Sequence, residues 1–130
     1  VEISDQRVKT SIPYKRKNFN HIRGLHATAL ATLSEFTTGI MLLNVLGTKK
    51  YRIILQRLDI EYHYQGKMDA IANFKVDDQW LDDNIYQPLK HQDSVTAPCS
   101  VTIHDIQGNQ LTTATVYWQL KPWNKVKTKV

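Results

Sequence analysis

The pattern of hydrophobic positions divides the chain into one helical segment and several segments that resemble strands. From about residue 25 to 46 the sequence is rich in Ala, Leu, Met and Ile, and its only formal charge is Glu35. Gly47 follows, a residue type that commonly ends helices. At about 1.5 Å per residue, this segment predicts a helix roughly 33 Å long. We therefore predict one long buried helix.

The charged residue of this helix lies on a narrow stripe of small and polar residues. With about 100° per residue, four side chains fall within about 60° of one another. They are Thr28, Thr32, Glu35 and Gly39. The sequence therefore predicts a buried helix with one narrow stripe of small and polar residues, and the acid lies on that stripe.

Alternation of apolar and polar residues predicts strands on both sides of the helix. A period of two is typical of a strand that buries one face. The predicted strands are Val8 to Tyr14, Ile54 to Tyr64 with its even positions inward, Met68 to Val76, Val95 to Ile103, and Thr112 to Leu120. The sequence Gln107-Gly-Asn-Gln predicts a hairpin turn between the last two.

Two further features complete the predicted architecture. Pro98 inside a strand predicts a sheet edge or a bulge, because proline lacks a backbone N–H. The acidic stretch 77–93 has a weak apolar pattern and predicts a loop with a short helix. The order of elements predicts a single α+β domain, residues 1–130, in which an antiparallel sheet of about five strands wraps around the helix at about 25–46.

Length and composition narrow the class of protein. With 130 residues, 42% of them hydrophobic and 22% charged, the chain has the profile of one folded domain and not of a disordered segment. We expect no membrane association, because no apolar run approaches the roughly 20 residues that span a bilayer. The single cysteine, Cys99, excludes an intrachain disulfide and a cysteine metal cluster. A cytoplasmic location is therefore expected.

The formal net charge of +5 is concentrated in the first half of the chain, where residues 1–60 hold ten Lys and Arg against four acids. Such a field attracts phosphates, although a solvated surface explains it equally well. The aromatic–basic motifs of nucleic-acid-binding modules are missing, so no nucleic-acid partner is expected. The run Tyr62-His-Tyr64 and Trp118 are interpreted as packing on the faces of the sheet.

One motif at the start of the helix carries a specific resemblance. Asn20 is followed six residues later by His26, and then by Leu33-Ser-Glu35. In identity and spacing these residues resemble the motif of PaaI-type hot-dog thioesterases: Asn, then His followed by Gly-Gly, then Leu-x-Asp or Leu-x-Glu. The chain departs from it at Ala27-Thr28, which stand where the family has Gly-Gly.

The resemblance implies a hot-dog fold, hydrolysis of acyl-CoA or another acyl-thioester, and a homodimer or a tetramer with the site between protomers. Coenzyme A enters as part of the substrate, and no separate cofactor is implied. In the family, the residue that matches Glu35 acts as general base or nucleophile, and the amide that matches Ala27 stabilises the oxyanion.

Elementary chemistry agrees with these roles. Thioester hydrolysis needs an activated water or a nucleophile, together with donors for the oxyanion. A helix N-terminus provides unpaired N–H groups, and alanine retains the N–H that glycine would supply. Asn20 is expected to orient substrate or water, and His26 to hold the loop. The expected substrate contacts are Thr28, Thr32, Gly39, which leaves space above Glu35, and Arg23, which with Lys15, Arg16 and Lys17 could meet the phosphates of coenzyme A.

Structural interpretations of the same residues remain open. A buried Glu35 could be paired with a partner such as Arg57, and Asn20 could simply cap a turn. The histidines show no recognised metal-ligand spacing, so no metal is expected. The alternative function is a non-catalytic acyl-ligand-binding or structural hot-dog dimer, favoured if Ala27-Thr28 has closed the oxyanion site.

Overall fold

A computed structural model describes residues 1–127, in which six antiparallel strands form one sheet and a long helix packs on it. The strands are β1 (Glu2–Ser4), β2 (Arg7–Ile12), β3 (Tyr51–Tyr62), β4 (Ala70–Lys75), β5 (Val95–Asp105) and β6 (Gln110–Pro122). The long helix is α1 (Ala27–Leu46), and two short helices are α2 (Asp78–Leu81) and α3 (Gln87–Leu89), joined by a π-helical turn over Asp82–Tyr86. Single 3₁₀ turns cover Arg16–Asn18 and Trp123–Lys125.

The sheet order β1-β2-β4-β5-β6-β3 confirms the predicted α+β architecture. In β4, in β5 and in β6 from Thr112 onward the predicted inward residues are the buried ones, except that Val95 is half-buried. The alternation is interrupted at the start of β6, where the neighbours Leu111 and Thr112 are both buried. The chain has a sixth strand, β1, where about five strands were expected; its three residues are all exposed and carry no hydrophobic pattern. The last three residues of the predicted domain lie outside the described part.

Strand β3 corrects one predicted face. A bulge between Leu55 and Arg57 shifts its register against β6, and such a bulge exchanges the two faces of a strand. After the bulge the even residues face the core, as predicted. Before the bulge the odd residues Ile53 and Leu55 face the core. Ile54, which was expected to point inward, is 43% exposed.

Pro98 lies in a central strand but at a position that resembles an edge. Strand β5 pairs with β4 only from Thr102 to Asp105. Pro98 therefore has a strand neighbour on one side alone, where it pairs with Tyr117 of β6. This placement is compatible with the missing N–H of proline.

Helix α1 is buried on one side and open on the other. Leu30, Leu33, Met41 and Leu42 are buried, whereas Phe36 and Leu43 are 46% and 44% exposed. A single sheet covers only one side of a helix, so within residues 1–127 the other side has no partner. The open side includes Thr28 and Thr32, with Glu35 half-buried at its border.

The same helix corrects the expectation that no apolar run is long enough to cross a bilayer. By length and composition alone, its 20 residues are long and apolar enough to cross a membrane. In the structure the buried side forms the core beneath the sheet. Its polar side chains are satisfied within the helix, where the hydroxyls of Ser34 and Thr38 donate to the carbonyls of Leu30 and Ser34.

Two side-chain contacts fix α1 on the sheet. Trp118 of β6 donates its Nε1–H to Thr38 Oγ1 at 2.9 Å, and its ring lies directly over Gly39. Thr10 of β2 lies 2.6 Å from the hydroxyl of Thr37. Because the two contacts reach different halves of the sheet, they set both the rotation of the helix and its position along the strands.

Replacing Gly39 should reveal how closely Trp118 packs. A Cβ at Gly39 would lie 2.9 Å from Cζ2 of Trp118, so Gly39→Val should lower the free energy of unfolding by about 1–3 kcal/mol through overpacking. Urea denaturation measures it. In a Trp118→Leu background, Gly39→Val should lower the free energy of unfolding much less. An equal decrease in both backgrounds would contradict this packing account.

Through Asp105, in the hairpin between β5 and β6, the stability of the protein should depend measurably on pH in the acid range. Burial alone would raise the pKa of Asp105, but hydrogen bonds from Asn109, Gln107 and Gly108 outweigh it and hold the pKa below its ordinary value. The carboxylate therefore contributes stability that is complete above the unfolded pKa of about 3.9 and is lost as pH falls through the lowered folded pKa.

Urea denaturation of wild type and Asp105→Asn across this range checks the sign. Wild type should be the more stable protein near neutral pH, since the asparagine cannot accept at both side-chain positions. The difference should shrink in acid. A difference that stays constant down to about pH 2.5 would contradict the role assigned to the carboxylate.

Candidate active site at the start of helix α1

The start of α1 exposes backbone donors. His26 is the N-cap residue, and its own N–H donates to the carbonyl of Asn18 at 3.0 Å. Its exposed side chain makes no capping hydrogen bond. Ala27 is the first helical residue and is exposed, so its N–H points away from the helix without an intrahelical acceptor. His26 thus holds the loop through its backbone.

Asn20 organises the loop that precedes the helix. Its Oδ1 accepts hydrogen bonds from the N–H groups of Ile22 and Gly24 at 3.0 and 2.9 Å, and its N–H donates to the carbonyl of Gly24. This is the turn-capping interpretation. These hydrogen bonds use only the carbonyl oxygen of the side-chain amide, so its Nδ2 is the group that could donate to a substrate.

Asn20 and Ala27 share a cavity of about 330 Å³ at the helix N-terminus. Two apolar side chains, Leu25 of the loop and Leu30 of α1, also line the cavity. Residues 62–66, from the last residue of β3 onward, complete its wall. The cavity therefore combines an apolar wall with backbone and side-chain amide donors, as binding sites for small molecules do.

Tyr62 belongs to this site, although the sequence interpretation assigned it to packing on the sheet. Its hydroxyl donates to the carbonyl of Ala27 at 2.8 Å. Partial burial raises the pKa of Tyr62, so the phenol stays neutral and remains a donor at physiological pH. The signal in the sequence was the aromatic run at the end of β3, which alternation alone treats as sheet.

Glu35 lies farther along α1 and is half-buried. The suggested pairing with Arg57 is wrong, because Arg57 bonds Asp59 at 2.9 Å on the exposed face of β3. Within residues 1–127, no side chain makes a hydrogen bond or an ion pair with the Glu35 carboxylate. An unpaired, partly buried carboxylate next to the open side of α1 is available for chemistry.

Helix geometry separates Glu35 from the Ala27 amide of the same chain. Eight residues correspond to about 12 Å along the axis. The Glu35 side chain leans toward the N-terminus but recovers only about 4 Å. The Ala27 N–H points outward, so an oxygen that it binds lies about 3 Å farther away. One chain therefore cannot apply both groups to one carbonyl.

The four expected substrate contacts are dispersed. Thr28 and Thr32 are exposed, and the Thr32 hydroxyl donates to the Thr28 carbonyl at 2.9 Å. The prediction that Gly39 leaves space for substrate is wrong: the space is filled by Trp118, because the indole from β6 reaches under the helix at this point. Arg23, at a φ of 62°, is exposed and does not line the cavity.

Other chemistry finds little support in the described residues. Between residues 1 and 127, no three His, Cys, Asp or Glu side chains are grouped to hold a metal ion. Burial raises the pKa of the Cys99 thiol to about 12. A thiol with such a pKa is not an effective nucleophile.

Comparison with known proteins places the chain in a family and a fold. Residues 1–120 match the family described as a domain of unknown function, DUF4442, and the chain belongs to that family. A search of curated proteins gave no match.

Solved structures share the architecture. A protein of unknown function from Pseudomonas aeruginosa, described as a probable thioesterase, superposes with a TM-score of 0.81 at 20% identity over 90% of this chain and 77% of its own. A thioesterase from Staphylococcus aureus superposes with a TM-score of 0.72 at 16% identity, over 93% of this chain and 90% of its own. A Streptococcus mutans protein bound to acetyl-CoA superposes with a TM-score of 0.68 at 14% identity, over 94% of this chain and 86% of its own. The fold is the hot-dog fold of thioesterases, as the motif around Asn20 and Glu35 predicted.

Substitution of Asn20 separates its turn from any role toward substrate. Asn20→Ala should lower the free energy of unfolding by about 1–2 kcal/mol, because two loop N–H groups lose their acceptor. Asn20→Asp should retain both acceptors and stay near wild-type stability while removing the Nδ2 donor. Urea denaturation compares the three proteins. An alanine variant as stable as wild type would contradict the turn assignment.

Proposed function

We propose that this protein is an acyl-CoA thioesterase. The observation that carries the proposal is the exposed Ala27 N–H, which shares a cavity with Asn20 at the start of the helix that also bears the unpaired Glu35. The structural likeness to thioesterases and to a protein bound to acetyl-CoA supports the same reaction.

The chemistry assigns one role to each group. The Ala27 N–H, strengthened by the helix dipole, binds the thioester oxygen as it becomes an oxyanion. In one route Glu35 takes a proton of a water that adds to the carbonyl carbon; the C–S bond then breaks, and that proton passes to the departing coenzyme A thiolate. In the other route the carboxylate attacks the carbonyl carbon and the C–S bond breaks, which gives a mixed anhydride and the coenzyme A thiol; water then hydrolyses the anhydride and restores Glu35.

The alternative of a non-catalytic binding protein would be favoured if Ala27-Thr28 closed the oxyanion site. The methyl group of Ala27 does not do so, since the residue is exposed and borders the cavity. The departure from Gly-Gly therefore leaves the required donor in place.

The site needs two chains. Because one helix cannot bring its own Glu35 to its own Ala27 amide, we infer that Glu35 of one protomer meets Ala27 of the other. A two-fold axis that relates these contacts places the two α1 helices antiparallel and crossing near Ala31, midway between the two residues. The small side chain of Ala31 permits the helices to approach closely.

Two unpartnered surfaces support this homodimer. The open side of α1 exposes Phe36 and Leu43. Strand β3 forms the end of the sheet, and within residues 1–127 one side of this 12-residue strand has no partner. Long open edges favour pairing with another strand, so a second copy would cover both surfaces.

Substitutions at Glu35 and Ala27 test the reaction. Glu35→Gln is nearly isosteric and should lower kcat on acyl-CoA substrates by about 10²–10⁴-fold with little loss of stability. Ala27→Pro should also abolish turnover, because it removes only the N–H, and proline is well tolerated at the first position of a helix. Ala27→Gly is the matched control and should retain or increase activity.

The assay is hydrolysis of acyl-CoAs of graded chain length with each variant confirmed as folded by circular dichroism. If wild type hydrolyses none of them, or if Glu35→Gln matches wild type on all, the enzyme assignment is wrong and the binding-protein alternative is favoured.

The assembly has a separate prediction. Sedimentation velocity at micromolar concentration should give a dimer of the 15.1 kDa chain. Phe36→Lys should weaken it, because a charge replaces an apolar side chain at the contact. A stable wild-type monomer would contradict the shared site.

A further inference from the structure

The C-terminal end of α1 borders two adjoining cavities that the proposed reaction does not use. One, of about 460 Å³, is lined by residues 45–51 and Tyr86. The other, of about 450 Å³, is lined by residues 49–51 and 122–124. The two share Lys49, Lys50 and Tyr51, and we call them together the dibasic cleft.

The dibasic cleft combines two ammonium groups with aromatic rings. Tyr86 borders one cavity and Trp123 the other, and they are 38% and 39% exposed. Exposed rings offer faces for stacking a heterocyclic base, and lysine ammonium groups bind phosphate oxygens. Cationic and aromatic groups on one surface are the requirements of a nucleotide site.

The acidic groups near the two rings each have a contact of their own. The Asp78 carboxylate accepts from Gln6 Nε2 at 2.6 Å, but this neutral partner leaves its charge in place, and burial, Tyr51 and Asp78 together raise the pKa of Tyr86. Asp93, on the side of Trp123, lies 3.8 Å from Lys125 Nζ. Within residues 1–127, Lys49 and Lys50 form no ion pair, so their charge remains available to an anionic ligand.

We propose that the dibasic cleft binds the nucleotide end of the acyl-CoA substrate, with its phosphates on Lys49 and Lys50 and its adenine ring against Tyr86. This inference rests on the proposed function. It defines the carrier of the acyl group as coenzyme A itself, because a thioester on a carrier protein has no adenine nucleotide to place there.

The length of the substrate agrees with this placement. Glu35 and Val45 are ten residues apart on α1, about 15 Å along the axis. The pantetheine arm between the thioester sulfur and the diphosphate has about twelve bonds and extends to roughly 15 Å. Because the Glu35 side chain leans about 4 Å toward the N-terminus, a thioester held there lies roughly 19 Å from Val45 along the axis. The extended arm together with the lysine side chains, each about 6 Å long, is sufficient to span this distance to the dibasic cleft of the same chain.

The basic residues near the start of α1 are the competing location. Arg23 is only four residues from Ala27. Lys15 precedes the turn Arg16–Asn18 and Lys17 lies within it, and the Asn18 carbonyl of this turn accepts from the His26 N–H. A thioester carbonyl on the Ala27 amide would lie within about 10 Å of Arg23. This is too short for an extended pantetheine arm, so the dibasic cleft is the better match.

Paired substitutions distinguish the two locations. Lys49→Ala/Lys50→Ala is compared with the matched control Lys15→Ala/Lys17→Ala; these lysines are exposed in both pairs, and thermal unfolding verifies that each variant folds. Binding of adenosine 3′,5′-bisphosphate is measured by calorimetry. Hydrolysis is measured with an acyl-CoA and with the corresponding acyl-pantetheine, which lacks the nucleotide.

The cleft variant should raise the Kd for the bisphosphate and the KM for acyl-CoA by about tenfold or more. Its kcat, and all constants for acyl-pantetheine, should stay at wild-type values, as should the control variant. Any of three results would overturn the inference. Wild type does not bind the bisphosphate, the Kd of the cleft variant is unchanged, or the control variant loses as much affinity as the cleft variant. Failure of the proposed function is separate, because it abolishes hydrolysis of both thioesters while the bisphosphate measurement still decides the cleft.

Discussion

The packing of Trp118 against Gly39, with the indole N–H on Thr38, fixes α1 on the sheet. Both ends of the helix depend on this contact. A rotation of the helix would move Ala27 away from Tyr62, whose hydroxyl bonds the Ala27 carbonyl, and would open the cavity at the N-terminus. It would also turn Glu35 into the core or fully into solvent. The contact in the core thus determines where the reactive groups lie.

Spacing along the helix then determines what the groups can do. The eight-residue interval between Ala27 and Glu35 prevents these two groups of one chain from acting on one carbonyl. In the proposed dimer a second helix runs antiparallel beside the first and brings its Glu35 to this amide. The open side of α1 and the side of β3 that is unpaired within residues 1–127 would supply the surfaces for that arrangement.

Much of this fold could be predicted from the sequence because alternation is regular in β4, in β5 and in β6 from Thr112 onward and because α1 is strongly apolar. The inward face of the first half of β3 was predicted wrongly, since Ile53, Ile54 and Leu55 are all apolar and their pattern alone does not say which of them face the core. The motif predicted Asn20, Ala27 and Glu35 as site residues, and their catalytic roles stay predictions. Gly39 was misassigned because a helical wheel gives direction but not the neighbour, here Trp118. Tyr62 was missed because its contact is 35 residues distant in sequence.

The central claim is that each site takes its carboxylate from one protomer and its oxyanion donor from the other. The most direct measurement mixes two inactive proteins, Glu35→Gln and Ala27→Pro, after unfolding and refolding them together. A hybrid dimer would contain one site with both Glu35 and the Ala27 N–H intact, so an equal mixture should recover about a quarter of wild-type acyl-CoA hydrolysis. If the mixture forms hybrid dimers and remains inactive, the site does not span the two chains and this account is wrong.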